Sequence, residues 1–213
     1  MKFVLVEDQV MFRGLIRKLL IEECQGKILL ETSTLAELRA NLDKVRAADL
    51  LLLDIWLPDG DGLEIVREMS AASIATPVLL FSSSCEDYIV ERVNKSFAQG
   101  FVHKDEDPKV LLTAIQIVAA GGAFFSPRFV DRRRQLENNP ESFDKILSRR
   151  EQELLCFLGS GYSDTEVAAV IGASAGTVQT HRRNIMMKLG VHTAQELQAY
   201  ALKSGFTTVA RLQ

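Results

Sequence analysis

The chain of 213 residues has no apolar run near the ~20 residues a membrane-spanning helix needs. Its start, Met1-Lys2-Phe3-Val4-Leu5-Val6, is too short an apolar stretch for a signal peptide, and Glu7-Asp8 follow at once. The reading is therefore a cytoplasmic protein with no membrane partner. Cysteine is scarce: Cys24, Cys85 and Cys156 are odd in number and scattered, which excludes a disulfide framework and fits a reducing compartment. His103, His181 and His192 lie far apart, so no histidine or cysteine group has metal-ligand spacing. Repeats and low-complexity tracts are missing too. With hydrophobic residues at 47% and charged residues at 25%, the chain can bury a core, which excludes disorder as its general state.

Charge is uneven along the chain. Residues 1–122 carry 13 Lys and Arg against 19 Asp and Glu, whereas residues 123–213 carry 12 against 9. An acidic half suits cation binding, and a mildly basic half suits phosphates. The halves also differ in pattern. Short, continuous apolar runs at 3–6, 28–30, 50–53, 77–81 and 101–102 read as strands buried on both faces. Between them come residues at helical spacing. Met11, Leu15, Ile16, Leu19 and Leu20 form one set, Leu63, Val66 and Met69 another, and Ile89, Val93 and Phe97 a third. Leu111, Leu112, Ile115, Val118 and Ala119 form the last, stopped by Gly121-Gly122. This alternation predicts an α/β domain over 1–122, a doubly wound parallel sheet of five strands.

Residues 123–143 read as a linker, with Ser126-Pro127 able to open a short helix and Asn138-Asn139-Pro140-Glu141-Ser142 polar. Arg132-Arg133-Arg134 reads as a solvated face of it. Residues 144–213 read as a second domain, helical from Ser148 onward. Ser148 with Glu151, Ser163 with Glu166, and Thr193 with Glu196 have capping-box spacing, and a further helix begins near Ser174. Four short helices predict a smaller all-α domain.

Ligands of a doubly wound sheet sit at the carboxyl ends of its strands. Here those ends carry Glu7 and Asp8, Asp54, Ser82 and Lys104. Crowded carboxylates repel and call for a cation, and a few hard oxygen ligands suit Mg²⁺. A metal with a lysine can neutralise an incoming phosphoryl group while a carboxylate attacks it.

On Val6-Glu7-Asp8, Leu53-Asp54-Ile55-Trp56-Leu57-Pro58-Asp59-Gly60-Asp61-Gly62, Phe81-Ser82 and Phe101-Val102-His103-Lys104, residues 1–122 resemble the flavodoxin-like receiver domain of two-component response regulators. The resemblance implies that Asp54 accepts a phosphoryl group from a histidine kinase. It implies that Glu7, Asp8, Asp54 and the backbone carbonyl of Trp56 hold Mg²⁺. Ser82 and Lys104 would bind the phosphoryl oxygens, and Phe101 would switch with the phosphorylation state. Glu7 replaces the commoner Asp of the pair, Phe101 lacks a hydroxyl, and Trp56 is bulky for its place.

The second half resembles the LuxR-type helix-turn-helix of the NarL/FixJ-like class. The resemblance rests on Leu147-Ser148-Arg149-Arg150-Glu151, Gly161-Tyr162-Ser163, Glu166-Val167-Ala168, Thr177-Val178, His181, Asn184-Ile185 and Lys188-Leu189-Gly190-Val191. The residues themselves point the same way. A helix burying Val178, Ile185 and Leu189 turns Gln179, Thr180, Arg183 and Met187 outward, where Gln and Arg have the reach to read bases in a major groove. Arg182 and Lys188 flank them and suit phosphates. The family usually has Lys at Gln179 and often Asn-Lys at Asp164-Thr165, so positive charge is reduced. An apolar stripe at Leu197, Tyr200 and Ala201 offers a surface for pairing two copies.

Together these features predict a phosphorylation-dependent, DNA-binding transcription regulator, not an enzyme, that dimerises when phosphorylated. Two other classes stay open. A phosphatase with an aspartyl-phosphate intermediate needs a second carboxylate two residues after the nucleophile, and Trp56 stands there. An adaptor would use the same fold for protein contacts and ignore DNA.

Overall fold

The computed structural model describes residues 1–207, so 208–213 of the expected second domain lie outside the described residues. It divides into two compact units, Met1–Cys85 with Arg92–Asp131, and Glu86–Glu91 with the chain from Arg132.

The first unit begins with β1 (Lys2–Val6), α1 (Val10–Lys18) continued by a π-helical turn at Leu19–Glu23, and β2 (Lys27–Thr32). It continues with α2 (Leu35–Ala40), α3 (Leu42–Arg46), β3 (Leu50–Asp54), the small hairpin β4 (Trp56–Leu57) and β5 (Gly60–Asp61), and α4 (Gly62–Ala71). Then come β6 (Val78–Ser82), α5 (Asp87–Asn94), of which residues up to Glu91 belong to the second unit, β7 (Gly100–His103), α6 (Pro108–Ala119) and β8 (Phe124–Phe125). The main sheet has the order β2-β1-β3-β6-β7-β8, and its pairings are all parallel. Phe3, Leu5, Leu50, Leu52, Leu79, Phe81 and Val102 face α1 and α6 in one core, with Ile16, Leu111, Ile115 and Val118. The alternate strand residues Val4, Val6, Leu51, Leu53, Leu80 and Phe101 are buried as well. Both faces are covered, which is why the strands read as unbroken apolar runs.

The sheet has six strands, not the expected five. Phe124 and Phe125 pair with Gly100 and Phe101, at the start of the stretch expected to be linker. A two-residue strand has no period to read, so its pairing is set by tertiary contacts. The helix opened by Pro127 is longer than expected, running as α7 from Pro127 to Asn138. Phe97 is a further difference: α5 ends at Asn94, and Phe97 is 64% exposed rather than on a buried helical face.

The second unit continues with α8 (Phe143–Ile146), α9 (Arg149–Gly159), α10 (Asp164–Ile171), α11 (Ala175–Leu189) and α12 (Ala194–Lys203). Capping boxes at Ser148 with Glu151 and at Ser163 with Glu166 start α9 and α10. The third expected box is incomplete. Thr193 accepts from the Glu196 amide at 3.1 Å, but the Glu196 carboxylate turns to the His192 amide at 2.6 Å. Leu154, Leu155, Leu158, Val167, Val178, Ile185, Leu197 and Ala201 form the buried interior. A Cβ added to Gly159 would stand 2.3 Å from that of Ala201, so the α9–α12 approach requires glycine. Of the expected stripe, Leu197 and Ala201 are buried within the protein's own fold, and Tyr200 is half-buried. Among the described residues no helix is long and apolar enough to cross a membrane.

Candidate functional site

Chain order and strand order together create the first site. From β1 the chain moves outward to β2 and then returns across β1 to β3, so the sheet reverses between β1 and β3. Val6 pairs with Leu53 there, which brings Glu7 and Asp8 beside Asp54 at the carboxyl edge. Carboxylate oxygens of these three residues lie within 4.8 Å of one another. The parallel pairing of β6 with β7 aligns Ser82 with His103, so Lys104 leaves the sheet one residue beyond. Its ammonium sits 2.7 Å from Asp54 Oδ2 and 2.7 Å from Glu7 Oε2. That ammonium also lies 5.0 Å from the centre of the Phe12 ring and 5.6 Å from that of Phe81, where the ring faces favour a cation.

Backbone around the cluster fixes Asp54. The Trp56 amide donates to Asp54 Oδ1 at 3.1 Å. A Cβ on Gly62 would stand 2.3 Å from the Asp54 carbonyl oxygen, so glycine lets α4 begin directly behind the aspartate. Asp61 caps α4 through the Leu63 amide at 2.9 Å, and Asp59 accepts from the Leu35 and Ala36 amides at 2.9 and 2.8 Å. The acids of the Asp59-Gly60-Asp61 stretch are therefore engaged in building the loop. Ser82 is fully buried, and its Oγ accepts from the Ser84 amide at 3.2 Å.

Charge does not balance in this site. Three carboxylates meet here, and the Lys104 ammonium reaches two of them, Glu7 and Asp54. Burial, followed by the Asp54 charge, raises Glu7 to about 7. Burial also raises Asp54, against the pull of Lys104 and the Trp56 amide. Asp8 Oδ1 is buried and accepts no hydrogen bond. Hard oxygen donors, an unused carboxylate oxygen and surplus negative charge are what a small divalent cation requires, so these residues fit Mg²⁺. Phe101 is fully buried on β7, its ring 4.8 Å from that of Phe129, which in turn stacks on Phe125 at 5.2 Å. An aromatic at position 129 had no motif to announce it.

The second candidate site is the outer face of α11. Ser174 caps its N-terminus through the Thr177 amide at 3.1 Å. Val178 and Ile185 are buried, while Gln179, Thr180, Arg183 and Met187 are exposed. Thr180 donates its hydroxyl to the Gly176 carbonyl at 3.0 Å. Arg182 and Lys188, expected at phosphates, both have partners within the fold. Arg182 Nε is 2.7 Å from Asp164, and Lys188 is 2.7 Å from Glu151. Burial pushes the Glu151 carboxyl up, but Lys188 and the Ser148 donors outweigh it and hold it below its ordinary value.

Comparison with known proteins places each half of the chain in a family. Residues 3–116 match the response regulator receiver domain, and residues 145–201 match the bacterial regulatory proteins of the luxR family. The chain is 30% identical to the Fimbriae Z protein of Escherichia coli K12 over 202 residues, covering 93% of this chain and 94% of that one. It is 26% identical to the transcriptional regulatory protein DegU of Brevibacillus brevis, covering 98% and 95%. In fold it resembles RcsB from Salmonella enterica serovar Typhimurium, solved bound to promoter rprA with the phosphomimetic BeF₃⁻. That likeness has a TM-score of 0.71 at 23% identity and covers 94% of this chain and 97% of that one. The chain belongs to the response regulators that join a receiver domain to a LuxR-type DNA-binding region.

Proposed function

We propose that this protein is a transcription regulator switched by phosphorylation of Asp54. The observation that carries the reading is the cluster of Glu7, Asp8, Asp54 and Lys104 at the point where the sheet reverses. An Asp54 carboxylate oxygen attacks the phosphorus of a phosphohistidine on a histidine kinase. The new O–P bond forms as the P–N bond breaks, and the electron pair leaves with the imidazole. Lys104, already against Asp54 Oδ2, moves its charge to the phosphoryl oxygens, and the buried Ser82 hydroxyl donates to another. Glu7, Asp8, Asp54 and the Trp56 carbonyl would hold Mg²⁺, which when bound neutralises phosphoryl charge that one lysine cannot.

A phosphatase reading is disfavoured because Trp56 stands where a second carboxylate is needed. The phosphoryl group thus rests on the protein as a signal, and phosphorylation promotes pairing of two copies on DNA in the cytoplasm. Gln179, Thr180 and Arg183 read bases from α11. Incubation with acetyl phosphate and Mg²⁺, followed by intact-protein mass spectrometry, should add one phosphoryl group to the wild type and none to Asp54→Asn. Equal labelling of the two would overturn the assignment.

A further inference from the structure

The C-terminal matched region, 145–201, has six Lys and Arg residues against five Asp and Glu. For a surface that meets DNA this is a small excess, and the structure narrows it. Lys145 donates to the carbonyls of Glu137 and Asn139 at 2.9 and 2.6 Å. Arg149 and Arg150 lie 3.7 and 3.1 Å from Glu153, in exposed pairs of the weak kind. The recognition helix α11 carries the other three. Lys188 is bound to Glu151, the acid of the α9 capping box. Arg182 gives Nε to Asp164 at 2.7 Å and Nη2 to the Tyr162 carbonyl at 3.2 Å. Arg183 alone among the described cations of this region has no side-chain hydrogen bond or ion pair.

The Arg182–Asp164 pair differs from the exposed ones. Its side chains are 21% and 27% exposed, and it ties α11 to the first residue of α10 across 18 positions of sequence. A guanidinium held by a carboxylate and a carbonyl has little charge left for a phosphate, and moving it would break both bonds. Sequence-independent affinity for DNA comes from lysines and arginines that neutralise phosphates, so each one withheld lowers that affinity and its salt dependence.

We propose that Asp164 is a specificity-determining residue. It neutralises Arg182, withholds one phosphate-seeking charge from the recognition helix, and leaves discrimination to Gln179, Thr180 and Arg183. Arg182 is then a positioning residue that joins α10 to α11. This inference rests on the DNA-binding reading above.

The test uses the full chain and a short random-sequence duplex, with affinity measured at several salt concentrations. Asp164→Asn keeps an acceptor oxygen for Arg182, so the helix contact survives while the neutralising charge is lost. The variant should bind the random duplex several-fold more tightly, and its log–log salt slope should steepen by about 0.9, one phosphate equivalent. Adding Arg182→Met to Asp164→Asn should return the slope to that of the wild type, with thermal melting confirming that each variant is folded. An unchanged slope in folded Asp164→Asn would overturn the inference, as would a steepened slope that persists in the double variant. Both leave DNA binding itself standing. Wild type that binds no duplex at any salt would instead overturn the DNA-binding reading, and this inference with it.

Discussion

At the scale of residues, the acidic site is a problem of charge that its own geometry does not solve. Lys104 touches both Glu7 and Asp54, yet Glu7 is raised to about 7 from an ordinary carboxylate value of 4.5. A carboxyl whose folded pKa exceeds its unfolded one binds its proton more tightly when folded. Its contribution to stability is fully present below pH ~4.5 and is lost as pH rises through about 7. A metal ion that needs the ionised form reverses that loss. The rise in melting temperature on adding Mg²⁺ should therefore be larger at pH 8 than at pH 5.5, and largely absent in Glu7→Gln at both. A Mg²⁺-induced rise equal at the two pH values in the wild type would contradict this account of Glu7. On α11, Gln179 and Arg183 lie one turn apart on the exposed face, each able to make a bidentate base contact worth about 1–3 kcal/mol. Site selection from random DNA should show Arg183→Ala relaxing one base position and Gln179→Lys moving another from adenine towards guanine. Identical selected sites for wild type and Gln179→Lys would remove residue 179 from base reading.

Elements differ in how legible they were, and the reason is the range of the interactions that define them. The strand ends carrying Glu7, Asp54, Ser82 and Lys104 could be read because strand runs and their terminal residues are local in sequence. The capping boxes of α9 and α10 were legible for the same reason. Phe97 continued an apolar spacing that the helix did not follow, because α5 stops at Asn94. The ion pairs of Arg182 and Lys188 join residues 18 and 37 positions apart, so no local pattern could show that these cations have partners. β8 and the full length of α7 were hidden for a related reason: Phe129 packs on Phe101 and Phe125. Truncating the fully buried Phe129 to Ala should cost about 3–5 kcal/mol of receiver stability. It should also speed amide exchange at Phe124 and Ser126, whose amides donate to the Gln99 and Phe101 carbonyls. A loss below 1 kcal/mol with unchanged exchange would show that β8 is held by other contacts. Ser163→Ala, which removes the α10 cap, should cost about 1 kcal/mol in chemical denaturation, and no measurable loss would rule out the cap as a contributor.

For the whole molecule, two regions with separate chemistry share one chain: an acidic sheet edge suited to a metal and a phosphoryl group, and a weakly basic helical region suited to DNA. A phosphoryl group changes DNA affinity only if it favours one arrangement of the protein over another. Scarce free charge on α11 makes that dependence stronger, because one copy alone has few phosphates to hold. Coupling between distant sites commonly amounts to about 5–150-fold in affinity. The most direct measurement is the affinity of the full chain for a duplex selected from random DNA, with and without acetyl phosphate and Mg²⁺, in wild type and Asp54→Asn. The account predicts at least about a tenfold tightening on phosphorylation of the wild type and none for Asp54→Asn. Unchanged affinity in a wild-type sample shown by mass to be stoichiometrically phosphorylated would contradict it.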